Sequence, residues 1–394
     1  MQGRVRSSAV PGEGKDVIGL LELLLLGCLG FSLCYTLLTL LSLSTFFRHP
    51  PFLSEELPPV SLLIPVKGID PQMYENFETL CTQSYPCYEV IFGLMDPQDP
   101  ARTLIETLIA SHPQQDIRLV ISDRKIGRNN KINNLYNMWR EAKYEVIVCN
   151  DSDIRVQSDY LRHIVSPLQD RRVGMVTCPY RARGEGTIFS KIQAIGVNTE
   201  FLPSVIVAHQ LEGLSFALGA AIATRRHILQ EIGGFQALAD YLADDYHLGY
   251  KIRQHGYTLY LTRYLVDLWV HQHDFQKFFL QQVRWARTIR NCRPTGYFFY
   301  GLTNGTVLAT LYLLLNDFSR SSFFLWIFFL SLRLSAALFI HCRYLGERPP
   351  LRSYIFLFLC KEFFSFLFWS VSFMGNRVFW RGERYRITAE GKLV

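Results

Sequence analysis

The chain predicts an α/β fold: a mostly parallel sheet in one soluble domain, framed by one N-terminal and two or three C-terminal transmembrane helices. Two observations carry this. Between Pro58 and about Arg293, short β-rich runs alternate with helical stretches, as they do in sheets built from strand-helix units. Hydrophobicity concentrates outside that interval, in runs of membrane-spanning length at both ends. The 394 residues have length for two domains, and this distribution assigns them to one.

Residues 1–16 read as a disordered polar tail. Residues 17–47 hold the apolar run LLELLLLGCLGFSLCYTLLTLL, with the single acid Glu22. The run exceeds the roughly 20 residues that cross a bilayer. It is also longer than a signal-peptide core of about 7–15 residues, and no small-residue cleavage site follows, so it reads as a retained span. The soluble domain, 58–293, opens with VSLLIPVKG (60–68) as a buried strand. Strands follow at YEVIFGLMD (88–96), IRLVISD (117–123) and YEVIVCNDSD (144–153), with helices at 100–111 and 130–142. In open α/β sheets ligands bind beyond the carboxyl ends of strands, and Asp96, Lys125, Asp151 and Asp153 fall there. Residues 275–290 pattern as a basic amphipathic helix suited to a membrane surface. Apolar segments follow at 297–315, 321–342 and 354–374. The last carries Lys361 and Glu362 side by side, costly in hydrocarbon unless they face protein, water or the interface, so a re-entrant or interfacial segment is the alternative to a span. Residues 375–394 read as a basic tail.

Composition narrows the partners. A formal charge of +7 suits anionic lipid headgroups, and no nucleic-acid motif accompanies it. Nine cysteines without a C-x-x-C pair support neither a disulfide framework nor a zinc site. Neither a G-x-G-x-x-G fingerprint nor a P-loop is present, so any phosphate is held otherwise.

Several positions carry chemistry. On extended chain Asp151 and Asp153 point to one side, where they can meet one hard divalent cation, Mg²⁺ or Mn²⁺, that also binds a diphosphate; a solvated turn is the plainer reading. Asp96, in MDPQDP, can accept hydrogen bonds from a nucleotide base or ribose, or merely shape the turn, with Asp99 second to it. Asp244 and Asp245 precede a helical run, where acids complement a helix dipole; alternatively Asp245 is a general base. Gln281, Arg284, Trp285 and Thr288 share one helix face. There Arg284 suits a diphosphate and Trp285 an acceptor wall. His271 and His273 share a face if the chain is extended, and read as solvated residues or as metal or diphosphate contacts.

VSLLIPVKGIDP (60–71), EVIFGLMDPQDP (89–100), KIGRNNKINNL (125–135), CNDSDIRV (149–156), ADDYHLGYKI (243–252), QQVRW (281–285) and WRGERYRI (380–387) together resemble, in order, the ceramide glucosyltransferase family. NTEFLPS (198–204) and the His271/His273 pair look more like its bacterial relatives, including hopanoid-associated lipid glycosyltransferases. The resemblance implies a GT-A type catalytic domain with a Rossmann-like mixed sheet, a UDP-sugar donor, a membrane lipid acceptor and inversion. It implies that Asp96 contacts the nucleotide and Asp151 and Asp153 the metal and diphosphate. It makes Asp245 the base, and Gln281, Arg284 and Trp285 the completion of the donor and acceptor site, with Lys125 in the nucleotide-sugar set. A processive polysaccharide synthase of the cellulose or hyaluronan kind shares the Gln-x-x-Arg-Trp pattern, but its polymer channel takes more spans.

Nucleotide sugars are made in the cytoplasm, and Arg377, Arg381, Arg384 and Arg386 favour a cytoplasmic tail. With domain and tail both inside, an even number of crossings separates them. One of the three C-terminal segments then does not cross, and the N-terminus lies outside despite Arg4, Arg6 and Lys15.

Overall fold

The computed structural model describes residues 13–271 and 274–394. Most of the polar tail, and His273, lie outside the described residues. Seven strands form the main sheet: β1 (Val60–Pro65), β2 (Tyr88–Leu94), β3 (Asp116–Ile121), β4 (Val146–Asn150), β6 (Val173–Thr177), β8 (Ala221–Arg225) and β9 (Thr258–Leu261). Their order is β3-β2-β1-β4-β8-β6-β9. β1 pairs in parallel with β2 (Val60 opposite Tyr88) and with β4 (Val60 opposite Val146), and β8 runs antiparallel to β4 and β6. A second sheet, β5-β10-β7, joins β5 (Ile154–Arg155), β7 (Tyr180–Gly184) and β10 (Val266–Val270). The helices of the domain are α2 (Met73–Cys81), α3 (Ala101–Ser111), α4 (Asn130–Glu141), α5 (Tyr160–Val165), α6 (Ile188–Gly196), α7 (Leu202–Glu212), α8 (Arg226–Glu231), α9 (Asp244–Gln254) and α10 (Phe275–Cys292); α1 (Glu13–Arg48) precedes them.

The central strands are apolar along their length because both faces are covered. Alternate residues feed two cores: Leu62, Ile64 and Phe92 pack on one side, Leu63, Ile91 and Ile147 on the other. Strand order reverses at β1, with β2 on one side and β4 on the other, which opens a crevice at the carboxyl ends. The D-x-D segment leaves β4 here as a turn, not as extended chain. The sequence argument from strand alternation therefore does not apply to it.

After α10 the chain forms α11 (Pro294–Tyr300), α12 (Gly305–Leu315), α13 (Arg320–Ile340) and α14 (Leu351–Ser372). Helices 17–48, 320–345 and 351–372 are long and apolar enough to cross a membrane. Segments 294–303 and 305–315, bent by 58° at their break, would together make a fourth. The break thus falls in the segment expected at 297–315, whereas the charged segment expected at 354–374 is one continuous helix. α1, α12 and α13 meet through Leu29, Leu308, Ala309 and Phe329. Gly305 permits this approach, since a Cβ there would lie 2.5 Å from Ser32 Oγ.

α14 is placed differently. Ahead of it, Arg183 of β7 pairs with Glu347, and Arg181 Nη1 donates to the Leu345 carbonyl at 2.7 Å. Beyond it, Arg290 of α10 donates to the Ser372 carbonyl. Both ends of the helix are thus held by the soluble domain. Its charges are satisfied within the protein. Lys361 Nζ lies 2.7 Å from Glu200 Oε1 and 2.5 Å from Glu362 Oε1, and Arg333 binds Glu362 through Nη2 at 2.8 Å and Nε at 3.0 Å. Thr306, Tyr300 and Ser365 donate to the same two carboxylates. Two cations balance two anions, the condition under which burial of such groups is tolerable. Glu200 sits on a single π-helical turn, Val197–Phe201, between α6 and α7, an irregularity that often marks functional sites.

The C-terminal residues are not a free basic tail. β11 (Arg377–Trp380) and β12 (Glu383–Arg386) form a hairpin. Its two connecting residues, Arg381 and Gly382, both take positive φ, of 50° and 93°, as tight hairpin turns require. The chain then returns to the domain, with Leu393 N donating to Asp240 O at 2.7 Å and Leu242 N to Gly391 O at 3.2 Å. These contacts put tail and domain on the same side of any membrane.

Candidate functional site

A cavity of about 1850 Å³ opens beyond the carboxyl ends of β1, β2 and β4. Asp96, Lys125, Asp151, Asp153, Asp245, Gln281, Arg284 and Trp285, all singled out from sequence, line it together. It is also lined by Phe31 and Tyr35 of α1, Tyr300, and Phe364, Phe368 and Trp369 of α14. One continuous space thus joins an acidic crevice to an aromatic wall on the apolar helices.

The acidic end is organised by a residue that the sequence reading passed over. Lys131, in the first turn of α4, reaches Asp151 Oδ1 at 2.6 Å, Asp244 Oδ2 at 3.9 Å and the Gly219 carbonyl at 3.4 Å. Burial alone would lower its pKa, but the charges of Asp151 and Asp244 outweigh this and hold it protonated, well above its usual range. Asn129 caps α4 by accepting from Ile132 N at 3.1 Å. Its amide also donates to Tyr241 O at 2.8 Å and Asp244 Oδ1 at 3.3 Å, so one side chain sets the start of α4 and the position of α9. Lys125, by contrast, is exposed and makes no salt bridge among the described residues.

Asp245, in the first turn of α9, is pushed up to about 6, first by burial and then by the charge of Asp244, with Lys131 opposing. Its Oδ1 accepts from Tyr246 N at 2.8 Å. A Cβ at Gly219 would stand 2.9 Å from its Oδ2, so glycine there leaves the carboxylate room. Such a group is ionised at neutral pH yet basic enough to take a proton.

Asp153 is pushed up to about 7 by burial, and then by the charges of Asp151 and Asp70. Its Oδ1 is buried without a hydrogen-bond partner among the described residues. An orphaned carboxylate oxygen beside a second carboxylate fits a hard divalent cation. Asp151 and Asp153 are the residues that would hold it. No group of three or more His, Cys, Asp or Glu side chains with metal-binding geometry occurs among the described residues, so the protein offers two ligands and not a closed cage. Asp96 is exposed, lines the cavity and accepts from Gln98 N at 2.8 Å, which shapes its turn. Asp99 serves backbone geometry, accepting from Gly68 N at 2.9 Å and Ala101 N at 2.9 Å.

α10 is capped by Asp274, which accepts from Lys277 N at 2.8 Å. Its cavity face carries Gln281, Arg284, Trp285 and Thr288. The guanidinium of Arg284 lies over Trp380 of the hairpin, 5.8 Å from the ring centre. Burial, and secondly the charge of Arg381, bring Arg284 down to about 10. It still remains fully charged at neutral pH. Trp285 also packs against the sheet core, and His271 is a further cavity-lining residue.

The sequence profile of glycosyl transferase family 21 matches residues 24–393. Ceramide glucosyltransferase 1 of Caenorhabditis elegans is 25% identical over 238 residues, 59% of this chain and 51% of that protein. Ceramide glucosyltransferase 3 of the same organism is 28% identical over 232 residues, 58% and 50% of the two chains. The match thus spans about half the length of these relatives. Among solved structures, a mannosyltransferase from Pyrobaculum calidifontis in complex with GDP-Man and Mn2+ is similar with a TM-score of 0.50 at 18% identity, covering 88% of this chain and 99% of the other. The fold is GT-A. With the family profile spanning nearly the whole sequence, the chain belongs to glycosyl transferase family 21.

Proposed function

We propose that the protein is a membrane-bound inverting glycosyltransferase that moves a hexose, glucose or N-acetylglucosamine, from a UDP-sugar to the hydroxyl of a membrane lipid such as ceramide. The observation that carries this reading is the single cavity that runs from the carboxylates at the strand ends to the aromatic residues of α1 and α14. A polar donor and a lipid acceptor would thereby meet without leaving it.

In this mechanism the acceptor hydroxyl gives its proton to Asp245 as its oxygen attacks the anomeric carbon. The new C–O bond forms on the face opposite the breaking bond to the nucleotide, so configuration inverts, and UDP departs with the electron pair. Asp245 suits this because its raised pKa matches a base near neutral pH. Arg284 faces the departing diphosphate with a planar fork of donors. Asp96 reads the nucleoside, Trp285 and Gln281 wall the acceptor, and Lys125 adds charge at the donor rim. A divalent cation, held by Asp151 and Asp153, supplies neutralisation of diphosphate charge when bound. Lys131 holds Asp151 in place through their 2.6 Å contact.

We also place the soluble domain on the cytoplasmic face. α1, the bent 294–315 pair and α13 cross the bilayer in this arrangement, while α14, held by the domain at both ends, lies across them near the interface. Two crossings then separate domain from tail.

The test is to incubate the protein in detergent with Mg²⁺ or Mn²⁺, a panel of UDP-sugars and a membrane-lipid extract, and to analyse lipids by mass spectrometry. A single-sugar increment on one lipid class is expected. A ladder of soluble polymer would point to a processive synthase, and the absence of any product would remove the transferase reading.

A further inference from the structure

We propose that Arg381, at the tip of the C-terminal hairpin, is a second ligand of the donor's diphosphate and acts together with Arg284. This rests on the nucleotide-sugar reading above. Arg381 lines the same cavity as Asp151, Asp153 and Arg284, although it stands almost a hundred residues beyond Arg284 in the chain. It is docked, through main chain and side chain, on Lys67, the second residue beyond β1. Lys67 Nζ donates to the Arg381 carbonyl at 3.3 Å, and Arg381 Nη1 donates to the Lys67 carbonyl at 3.4 Å. Lys67 stands at the strand-order reversal, where ligands of open α/β sheets bind.

The charge arrangement points to an anion. Among the described residues Arg284 forms no ion pair, and Arg381 reaches a carboxylate, Asp70, only at 4.0 Å. The two guanidiniums nonetheless repel each other strongly enough for Arg381 to rank second among the causes that lower Arg284. Two like charges lining one cavity, one of them over Trp380, the chain neighbour of the other, are stabilised by a multivalent anion that accepts from both. The site's carboxylates act on these guanidiniums without pairing with them: Asp151, Asp244 and Asp245 support the charge of Arg284 but do not outweigh burial and Arg381, and Lys131 already pairs with Asp151. The positive φ of Arg381 is uncommon for a residue with a side chain. It belongs to the two-residue turn that sets Arg381 at the tip of the hairpin.

The experiment is binding of UDP and of uridine, in the presence of Mn²⁺, to the full-length protein in detergent, measured calorimetrically for wild type, Arg381→Ala and Arg381→Lys. Thermal unfolding of each variant is recorded in parallel. Arg381→Ala is expected to weaken UDP by about 10- to 100-fold and to leave uridine within twofold, with Arg381→Lys between the two. Equal UDP affinity in wild type and Arg381→Ala overturns the assignment. So does a parallel loss of uridine and UDP in a variant that unfolds early, because that pattern belongs to a hairpin that only supports the fold. If wild type itself binds neither, the UDP-sugar reading fails first, which is a different result.

Discussion

Lys131 Nζ stands 2.6 Å from Asp151 Oδ1 and 3.9 Å from Asp244 Oδ2, so one ammonium joins the strand-end carboxylate of β4 to the acidic start of α9. It couples the two halves of the site. With Lys131→Met, three neighbouring carboxylates lose their shared cation and Asp245 becomes harder to ionise. The acid limb of the pH-rate profile should move up by about one unit or more, with a fall of about 10²-fold in turnover at pH 7. An acid limb that stays in place would remove Lys131 from the electrostatics of Asp245.

In the proposed mechanism Asp245 must be charged to accept a proton, and its pKa is raised to about 6. Activity should therefore be constant above that value and fall tenfold per unit below it. Asp245→Asn should lose about 10²- to 10⁴-fold in turnover while still binding donor. Stability carries the opposite sign. Because the folded pKa lies above the ordinary carboxylate value, this group's contribution is complete below about pH 4 and is lost as pH rises through about 6. The asparagine variant should hence unfold at a higher temperature than wild type at pH 8 and show no such advantage at pH 4. A reversed difference would mean that the carboxylate is stabilised, not strained, in the fold.

The membrane-level ion cluster is neutral only as a set. Glu362→Gln leaves Arg333 and Lys361 facing Glu200 alone, and should cost about 3–5 kcal/mol, read as a lower midpoint of thermal unfolding in detergent. The double variant Lys361→Met/Glu362→Leu keeps the Arg333–Glu200 pair, 3.5 Å apart, and should recover most of that loss. Equal damage in both variants would show that shape, and not charge balance, governs this layer.

The topology gives a separate test. A cysteine at Arg348, in the loop between α13 and α14, should be labelled by an impermeant reagent from the same side as the soluble domain. A cysteine at Ser321 should be labelled from the other side, each against the background of the native thiols. Labelling at 348 from the side opposite the domain would make α14 a true crossing.

Much of this was legible before any coordinates. The strands announced themselves because a sheet covered on both faces must be apolar along its whole length, and the acids at strand ends followed from where such sheets bind ligands. The face of α10 followed from its period. What escaped has a common physical cause: partners brought together from far apart in the chain. Lys131 lies in the polar run GRNNKINNL with no local mark, and only the approach of β4 and α9 gives it meaning. Glu200 finds Lys361 across 161 positions, though an adjacent Lys-Glu pair in an apolar run was the visible trace of that network. The hairpin looked like a basic tail because charge count is local and its docking on Lys67 is not. Asp151 and Asp153 do share the cavity, but a turn, and not strand alternation, presents them.

The soluble domain has no free hinge against its helices. Phe46 at the end of α1 is buried in the sheet core and its carbonyl accepts from Arg263 at 2.8 Å, while Glu347 holds the end of α13 to β7. In the proposed arrangement Asp245 is consequently held at one depth relative to the bilayer, and an enzyme acting there on a membrane lipid becomes a ruler. A lipid whose hydroxyl sits one carbon too deep or too shallow must shift a methylene between hydrocarbon and water to react. At about 0.8 kcal/mol per methylene, each carbon of misfit lowers productive occupancy roughly fourfold.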